Sequence, residues 1–174
     1  MNLTAINEIK EQPIYLIGFM GSGKTHWGRI LSAHLQRNFI DLDQLIESKE
    51  QLSVQQIFEK NGEEWFREKE ALTLRSLIDE ENLLISCGGG APCFHDNMRF
   101  MNETGTTIFL EASPKFLLQH IIKEPDARPL LKNMNEAEML FFIEKKLAER
   151  NPFYQQAKFT WNAEALTAAT IQQL

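Results

Sequence analysis

Short apolar runs alternate along the chain with longer segments in which apolar residues recur at helical spacing. The run Ile14–Ile17 is apolar throughout and ends at Gly18, which predicts a strand buried on both faces. By the same reasoning, strands are predicted at 14–17, 38–40, 83–86, 107–110 and 159–161. Because strands alternate with helices, the pattern predicts an α/β fold whose parallel sheet is covered by helices on both faces.

Capping and breaking residues indicate where the helices begin and end. Favourable starts occur at Ser53 with Gln56, at Ser113 with Pro114, and at Asn135 with Glu138. Gly62 is predicted to break one helix, and Asn151-Pro152 to end another, because the residue before proline avoids helical angles. The helices are predicted over 24–36, from 53 to the break, over about 63–79, from 113, from 135 to about 150, and over 166–174.

The size and composition of the chain are those of one folded domain. It has 174 residues, of which 43% are hydrophobic, and a net charge of -6. That acidic balance disfavours general nucleic-acid binding, which depends on surplus Lys and Arg. Its two cysteines, six residues apart, form neither a zinc ligand pattern nor a disulfide framework. No segment resembles a signal peptide or a membrane span, so we expect a cytoplasmic protein that binds no membrane, and we expect a monomer.

The clearest motif is a glycine-rich loop that follows the first strand. Residues 18–25, GFMGSGKT, match the pattern G-x-x-x-x-G-K-[ST] in full. Glycines let successive N–H groups turn toward a phosphate, the lysine adds charge, and the threonine offers a hydroxyl to Mg²⁺. A chance glycine-rich turn is the alternative, but a position between a buried strand and an amphipathic helix favours a nucleotide site. Its candidate nucleotide-binding residues are Gly21, Ser22, Gly23, Lys24 and Thr25.

Two acidic residues, Asp41 and Asp43, follow the second strand. In extended chain, residues two apart share one face, so the two carboxylates should point the same way. Such a pair is costly unless a cation or a donor meets it, and a metal ion with a substrate hydroxyl would do so. The alternative is an ordinary acidic turn in which Asp43 caps a helix over 44–48. The neighbouring phosphate loop favours the functional interpretation.

Arginines at three positions are candidates for binding an anion. Arg67 shares a helical face with Glu63 and Glu70, which also fits a surface salt-bridge ladder of little energetic value. Arg128 lies between two predicted helices. Arg150 closes a helix, where a cation suits the helix dipole without any function. Each of these local patterns is ambiguous when taken alone.

In combination, the motifs resemble those of shikimate kinase, and the resemblance runs from Ile14 to Tyr154. The matching segments, in order, are GFMGSGKT at 18–25, DLD at 41–43, GEEWFREKE at 62–70, GGG at 88–90, RPLL at 128–131 and RNPFY at 150–154. This resemblance implies a P-loop NTPase-like three-layer sandwich with a five-stranded parallel sheet. It also implies one kinase domain over 1–174, with a mobile lid at about 124–134.

The resemblance implies that the γ-phosphoryl group of ATP is transferred to the 3-hydroxyl of shikimate, within chorismate and aromatic amino-acid synthesis. Arg67 and Arg150 would hold the shikimate carboxylate in two-point fashion. Asp43 would bind the ring hydroxyls and take the proton of the attacking one. Lys24 would contact the terminal phosphates, and Arg128, riding the lid, would meet charge at the transferring phosphate. By the same resemblance, the loop Gly88, Gly89 and Gly90 would hold the substrate, and Mg²⁺ would lie near Thr25 and Asp41.

The sequence departs from the family pattern near the lid and at its C-terminal end. The family's usual arginine before the lid is replaced by the stretch HIIK at 120–123, which leaves the adenine contact open between His120 and Lys123. The segment 159–174 gives no functional signal. Two rival interpretations remain at this stage: another small-molecule or nucleotide kinase on the same scaffold, and an inactive nucleotide-binding module.

Overall fold

The computed structural model describes residues 12–123 and 134–172 of the chain. Arg128 lies outside the described residues, as does the predicted lid apart from Met134. Within the described ranges, none of the helices has the length and apolar character needed to cross a membrane.

Five strands form one parallel sheet in the order β2-β3-β1-β4-β5. Their bounds are β1 Ile14–Ile17, β2 Asn38–Asp41, β3 Leu83–Ser86, β4 Thr106–Glu111 and β5 Phe159–Asn162. All five predicted strands are present, each within a residue or so of its predicted bounds. Because parallel strands run the same way, the loops that follow β1, β2 and β3 meet at one end of the sheet.

Seven helices connect and flank the strands in the described part of the chain. They are α1 Lys24–His34, α2 Leu42–Glu50, α3 Val54–Arg75, α4 Asn97–Thr104, α5 Pro114–Ile122, α6 Glu136–Tyr154 and α7 Ala168–Gln172. Single 3-10 turns lie at Ala91–Cys93 and Ala163–Ala165. The three predicted helix starts are confirmed, since Ser53, Ser113 and Asn135 each accept a hydrogen bond from the backbone of the first turn. Helix α4, whose sequence is mostly polar, was not predicted.

Alternate residues of the strands supply two separate hydrophobic cores. Tyr15 and Ile17 of β1 pack on one face of the sheet with side chains from α2 to α6. Ile14 and Leu16 pack on the other face with α1 and α7. Successive strand residues point to opposite faces, so a sheet with a fully apolar central strand needs cover on both sides. The three-layer α/β architecture predicted from the sequence is confirmed.

Two helix ends differ from the prediction by about four residues, while α1 ends two residues before its predicted end and α7 begins two residues after its predicted start. Helix α3 ends at Arg75 rather than near residue 79, although Gly62 breaks its helical geometry as predicted, with φ of 85° and ψ of 169°. Helix α6 does not end at Asn151-Pro152, as was predicted, but continues to Tyr154. Proline in a last turn removes one N–H donor, and the backbone of Gln155 still donates to the carbonyl of Asn151 at 2.9 Å. The tertiary packing of Tyr154, which is fully buried, outweighs the local preference.

Candidate active site

The loop between β1 and α1 is shaped by glycine and by the lysine that follows it. Gly23 is the N-cap of α1 and has a left-handed conformation, with φ of 86°, which favours glycine. The Nζ atom of Lys24 donates to the carbonyls of Gly18 at 2.9 Å and Phe19 at 2.8 Å. The lysine therefore arches back over the loop, at the positive end of the α1 dipole, where anions bind readily.

Thr25 and Asp41 join the phosphate loop to the end of β2. The Thr25 hydroxyl donates to Oδ2 of Asp41 at 2.7 Å. The other oxygen of Asp41 accepts from the backbone of Gln44 at 3.3 Å, which makes Asp41 the N-cap of α2. The alternative in which Asp43 caps this helix is therefore wrong, because α2 begins one residue before Asp43. A hydroxyl beside a carboxylate is a set of hard oxygen donors, which fits Mg²⁺.

Asp43 lies in the first turn of α2 rather than in extended chain, so the assumed strand geometry of the acidic pair was also wrong. Both carboxylates nevertheless face the same cavity. Burial and the nearby Asp41 raise the pKa of Asp43 to about 6, against the opposing influence of Lys24 and Arg67. A carboxylate with a pKa in that range is ionised at neutral pH and is a good proton acceptor.

Arg67 and Glu70 form a buried ion pair on α3. Arg67 is 8% exposed and Glu70 is 0% exposed, so the surface-ladder interpretation is wrong for this pair. Arg67 donates to Glu70 at 2.9 Å and to the exposed Glu63 at 3.0 Å. The guanidinium also lies over the ring of Phe94, 4.7 Å from its centroid. These contacts fix the plane of the arginine fork before any ligand is considered.

The charges of this pair reflect its burial. Burial raises the pKa of Glu70 to about 7, although Arg67 favours the ionised form. Its Oε1 atom has no hydrogen-bond partner among the described residues. Burial disfavours the charged form of Arg67, but Glu70 and Glu63 outweigh this and raise the pKa of Arg67 above its ordinary value.

Residues 88–90 follow β3 and bring the acidic and basic groups together. A methyl group on Gly88 would lie 2.8 Å from Oδ1 of Asp43 and 2.7 Å from Oε1 of Glu70. A methyl group on Gly90 would lie 2.6 Å from a guanidinium nitrogen of Arg67. Only glycine leaves room for such close approach of charged groups to the backbone.

Gly89 lies between the second arginine and the phosphate loop. A methyl group there would lie 3.3 Å from a guanidinium nitrogen of Arg150 and 3.4 Å from both the Gly18 carbonyl and the Met20 nitrogen. The Arg150 guanidinium also lies 5.3 Å from the centroid of the Phe19 ring. Both arginines predicted to bind the substrate therefore contact one glycine loop, directly beside the phosphate loop.

A cavity of about 660 Å³ runs along this end of the sheet. Its walls include the phosphate loop, Asp41, Asp43, Gly88 and Gly89. Arg67 and Arg150 lie outside these walls and reach the cavity region at the glycine loop.

The cavity is also lined by Trp27, Phe116, His120, Lys123 and Leu166. The rings of Phe116 and His120, one turn apart on α5, lie 4.2 Å from each other. His120 and Lys123, between which the sequence left the adenine contact open, are both among these lining residues. The contribution of Phe116 and Leu166 was missed because single aromatic or aliphatic residues carry no motif.

A loop that cradles phosphate at one end of a cavity, with an ionisable carboxylate facing the same space, is the arrangement of a P-loop kinase that phosphorylates a small molecule. A family model described as "Shikimate kinase" matches residues 20–173. The chain belongs to the shikimate kinase family, whose members are ATP-dependent kinases.

The sequence similarity to known relatives extends over most of the chain. A shikimate kinase of Phocaeicola vulgatus is 42% identical over 153 residues, which covers 88% of this chain and 87% of the relative. A crystal structure of shikimate kinase from Bacteroides thetaiotaomicron is 40% identical, with a TM-score of 0.89, and covers 94% of this chain and 95% of its own. Shikimate kinase from Acinetobacter baumannii in complex with shikimate is 34% identical, with a TM-score of 0.82, and covers 93% and 89%.

More distant structures share only the fold. A gluconokinase from Sinorhizobium meliloti has a TM-score of 0.56 at 16% identity. A deoxyadenosine kinase from M. mycoides has a TM-score of 0.55 at the same identity.

Proposed function

We propose that the chain transfers the γ-phosphoryl group of ATP to the 3-hydroxyl of shikimate, giving 3-phosphoshikimate and ADP. The observation that carries this proposal is the position of Gly89: a methyl group added there would lie 3.4 Å from backbone atoms of the phosphate loop and 3.3 Å from a guanidinium nitrogen of Arg150. An acceptor held at the glycine loop would therefore lie beside the terminal phosphate of a nucleotide held by the phosphate loop. This reaction is one step in the synthesis of chorismate and the aromatic amino acids.

Arg67 and Arg150 bind the carboxylate of shikimate. The two guanidinium groups reach consecutive residues of one loop, Gly90 and Gly89, whose Cα atoms are about 3.8 Å apart. Two forks converging on a small space select a carboxylate, since each offers paired N–H donors in one plane. The backbone of Gly88, Gly89 and Gly90 completes this end of the site.

Asp43 orients the attacking hydroxyl and accepts its proton. Its raised pKa of about 6 keeps it ionised at neutral pH and gives it useful basicity. As the hydroxyl oxygen forms its bond to the γ-phosphorus, the bond from that phosphorus to the β,γ-bridging oxygen breaks, ADP leaves, and the hydroxyl proton passes to Asp43.

Lys24 and the N–H groups of residues 21–25 bind the phosphates and neutralise the charge that gathers on the transferring group. Arg128 supplies a further positive charge there from the lid, a role that rests on the sequence resemblance alone. The adenine ring is held at the cavity wall formed by α5, where the neighbouring rings of Phe116 and His120 offer an aromatic surface.

The Thr25 hydroxyl and the Asp41 carboxylate would hold Mg²⁺. When bound, Mg²⁺ offsets the negative charge of the phosphate oxygens. The Thr25–Asp41 hydrogen bond of 2.7 Å supports this assignment, because it brings a hydroxyl and a carboxylate oxygen to one point beside Lys24. We also propose that the enzyme is a cytoplasmic monomer and that it binds neither nucleic acid nor a membrane. Light scattering of the purified protein would test whether it is a monomer.

The test of the reaction is ADP release measured with MgATP in the presence and absence of shikimate, followed by ³¹P NMR of the product. We expect release that depends on shikimate and a phosphate ester at the 3-position. Gluconate and nucleoside monophosphates serve as alternative acceptors in parallel. Turnover of either of these in preference to shikimate would overturn the proposal, and so would ATP binding without turnover of any acceptor.

A further inference from the structure

Tyr154 links the end of α6 to the glycine loop 65 residues earlier in the chain. Its side chain is fully buried, and its hydroxyl donates a hydrogen bond to the carbonyl of Gly89. Its ring stacks on Phe109 of β4, with centroids 5.0 Å apart. The ring is therefore anchored by the core, and the hydroxyl reaches from that anchor into the site.

Arg150 lies one turn before Tyr154 on the same helix, and its guanidinium approaches the same glycine. Two side chains of α6 thus lie against Gly89: Arg150 brings its charge close to it, and Tyr154 donates a hydrogen bond to its carbonyl. Burial raises the pKa of the Tyr154 hydroxyl well above its ordinary value, so the hydroxyl keeps its proton and its ability to donate.

The contact has a defined effect on the backbone. A peptide group is planar, and in the trans form its C=O and N–H point in opposite directions. A hydrogen bond to the Gly89 carbonyl therefore also sets the direction of the Gly90 N–H, which points away from Tyr154. Without that bond, a peptide between two glycines has wide rotational freedom, because neither residue has a Cβ atom.

We propose that Tyr154 is a positioning residue for the acceptor: its hydroxyl fixes the Gly89–Gly90 peptide against α6, so that the glycine loop and Arg150 present one rigid surface to the substrate. The proposal rests on the proposed function, since it assigns the acceptor to this loop. It predicts that the hydroxyl contributes to the binding of shikimate and not to the binding of ATP.

The chain offers a matched pair of variants, because it has two tyrosines and both are buried. Tyr15 forms a hydrogen bond of 2.9 Å with Thr104, which precedes β4, at the opposite end of the sheet from the site. Tyr154→Phe and Tyr15→Phe each remove one buried hydroxyl and keep the ring; at Tyr154 this removes the hydrogen bond to Gly89 together with the interaction with Arg150. Both variants should fold and lose a similar amount of thermal stability.

The two variants should differ in their kinetics. For Tyr154→Phe we expect the KM for shikimate to rise roughly tenfold, with a smaller change in kcat and no change in the Kd for ATP measured by calorimetry. For Tyr15→Phe we expect both parameters to match wild type. A shikimate KM that is unchanged in Tyr154→Phe, or raised equally in both variants, would overturn the proposal. If wild type failed to phosphorylate shikimate, the proposed function would fall instead, a result visible before either variant is measured.

Discussion

Asp43 and Glu70 meet at the same point from two different helices, with Oδ1 of Asp43 and Oε1 of Glu70 lying 2.8 and 2.7 Å from where a side chain on Gly88 would begin. Burial is the main reason that the pKa of each is raised, to about 6 for Asp43 and about 7 for Glu70. Two carboxyl groups facing one glycine at the edge of a cavity destabilise the folded chain when both are ionised. The end of the site that is proposed to bind the acceptor therefore trades stability for function.

Replacing Gly88 with alanine should disrupt the acceptor end and leave the nucleotide end intact. The added methyl group would collide with both carboxylates, so we expect shikimate turnover to be lost and the free energy of unfolding to fall by about 1–3 kcal/mol. The Kd for ATP, measured by calorimetry, should be unchanged. Gly62→Ala is the control: no atom lies within 4 Å of the new methyl group, so it should cost stability through its φ of 85° without altering the shikimate KM.

Removing the guanidinium group of Arg67 should weaken acceptor binding without weakening ATP binding. For Arg67→Ala we expect the shikimate KM to rise by roughly 30- to 100-fold, because a charge-assisted two-point contact is lost. Lysine at this position should restore little, since an ammonium group cannot bind both carboxylate oxygens in one plane. Arg99→Ala, which removes an exposed ion pair with Glu103, is the control and should behave as wild type. Loss of ATP affinity in Arg67→Ala would contradict the assignment.

The Thr25 hydroxyl should determine the Mg²⁺ concentration that the enzyme needs for half-maximal activity. We expect Thr25→Val to need a roughly 10- to 100-fold higher Mg²⁺ concentration for half-maximal activity, because the loss of one partner in a metal site usually weakens metal binding by about that factor. Steady-state rates measured against Mg²⁺ at fixed ATP would show this change. Thr25→Ser keeps the hydroxyl and should remain close to wild type. Equal Mg²⁺ dependence of the valine and serine variants would remove Thr25 from the metal site.

The pH dependence of stability should carry the signature of Glu70. Its pKa is raised on folding from 4.5 to about 7, so the folded state binds the proton more tightly than the unfolded state. The free energy of unfolding should therefore decrease as the pH rises from 4.5 to 7, by up to about 3 kcal/mol from this group. Glu70→Gln should make that decrease smaller in denaturant titrations, and the part that remains comes from Asp43, whose pKa is also raised on folding. Glu63→Gln removes the other, exposed partner of Arg67 and should leave the slope unchanged, whereas a flattened slope in both would contradict the assignment to Glu70.

Arg128 should act on the rate rather than on binding. If it meets charge at the transferring phosphate, Arg128→Ala should lower kcat on the order of 10³-fold, with little change in the shikimate KM. Single-turnover measurements at saturating substrates would separate this loss from product release. A normal single-turnover rate would exclude Arg128 from the chemical step.

The fold and the phosphate loop were predictable because their signals are local. An apolar run of four residues followed by Gly18, and a lysine opening a helix, specify a strand, a loop and a helix without reference to distant residues. The caps at Ser53 and Asn135 were predictable for the same reason, since each is complete within four residues.

The features that the sequence did not predict depend on contacts between distant segments. Asn151-Pro152 favours a helix end, but the anchoring of Tyr154 on Phe109 and Gly89 carries α6 through it. Helical spacing places Glu70 beside Arg67 whether the pair faces water or the interior, so only the folded chain shows that it is buried. Asp41 rather than Asp43 caps α2 because Thr25 holds Asp41 at the strand end.

The division of the site between chain segments bears on how such enzymes could change their substrate. The groups proposed to bind the phosphates and Mg²⁺ come from the β1–α1 loop and the end of β2, whereas those proposed to hold the acceptor come from α3, the loop after β3 and the last turns of α6. New acceptors could therefore be recruited in evolution by altering those later segments, while the machinery for handling the phosphate is inherited intact.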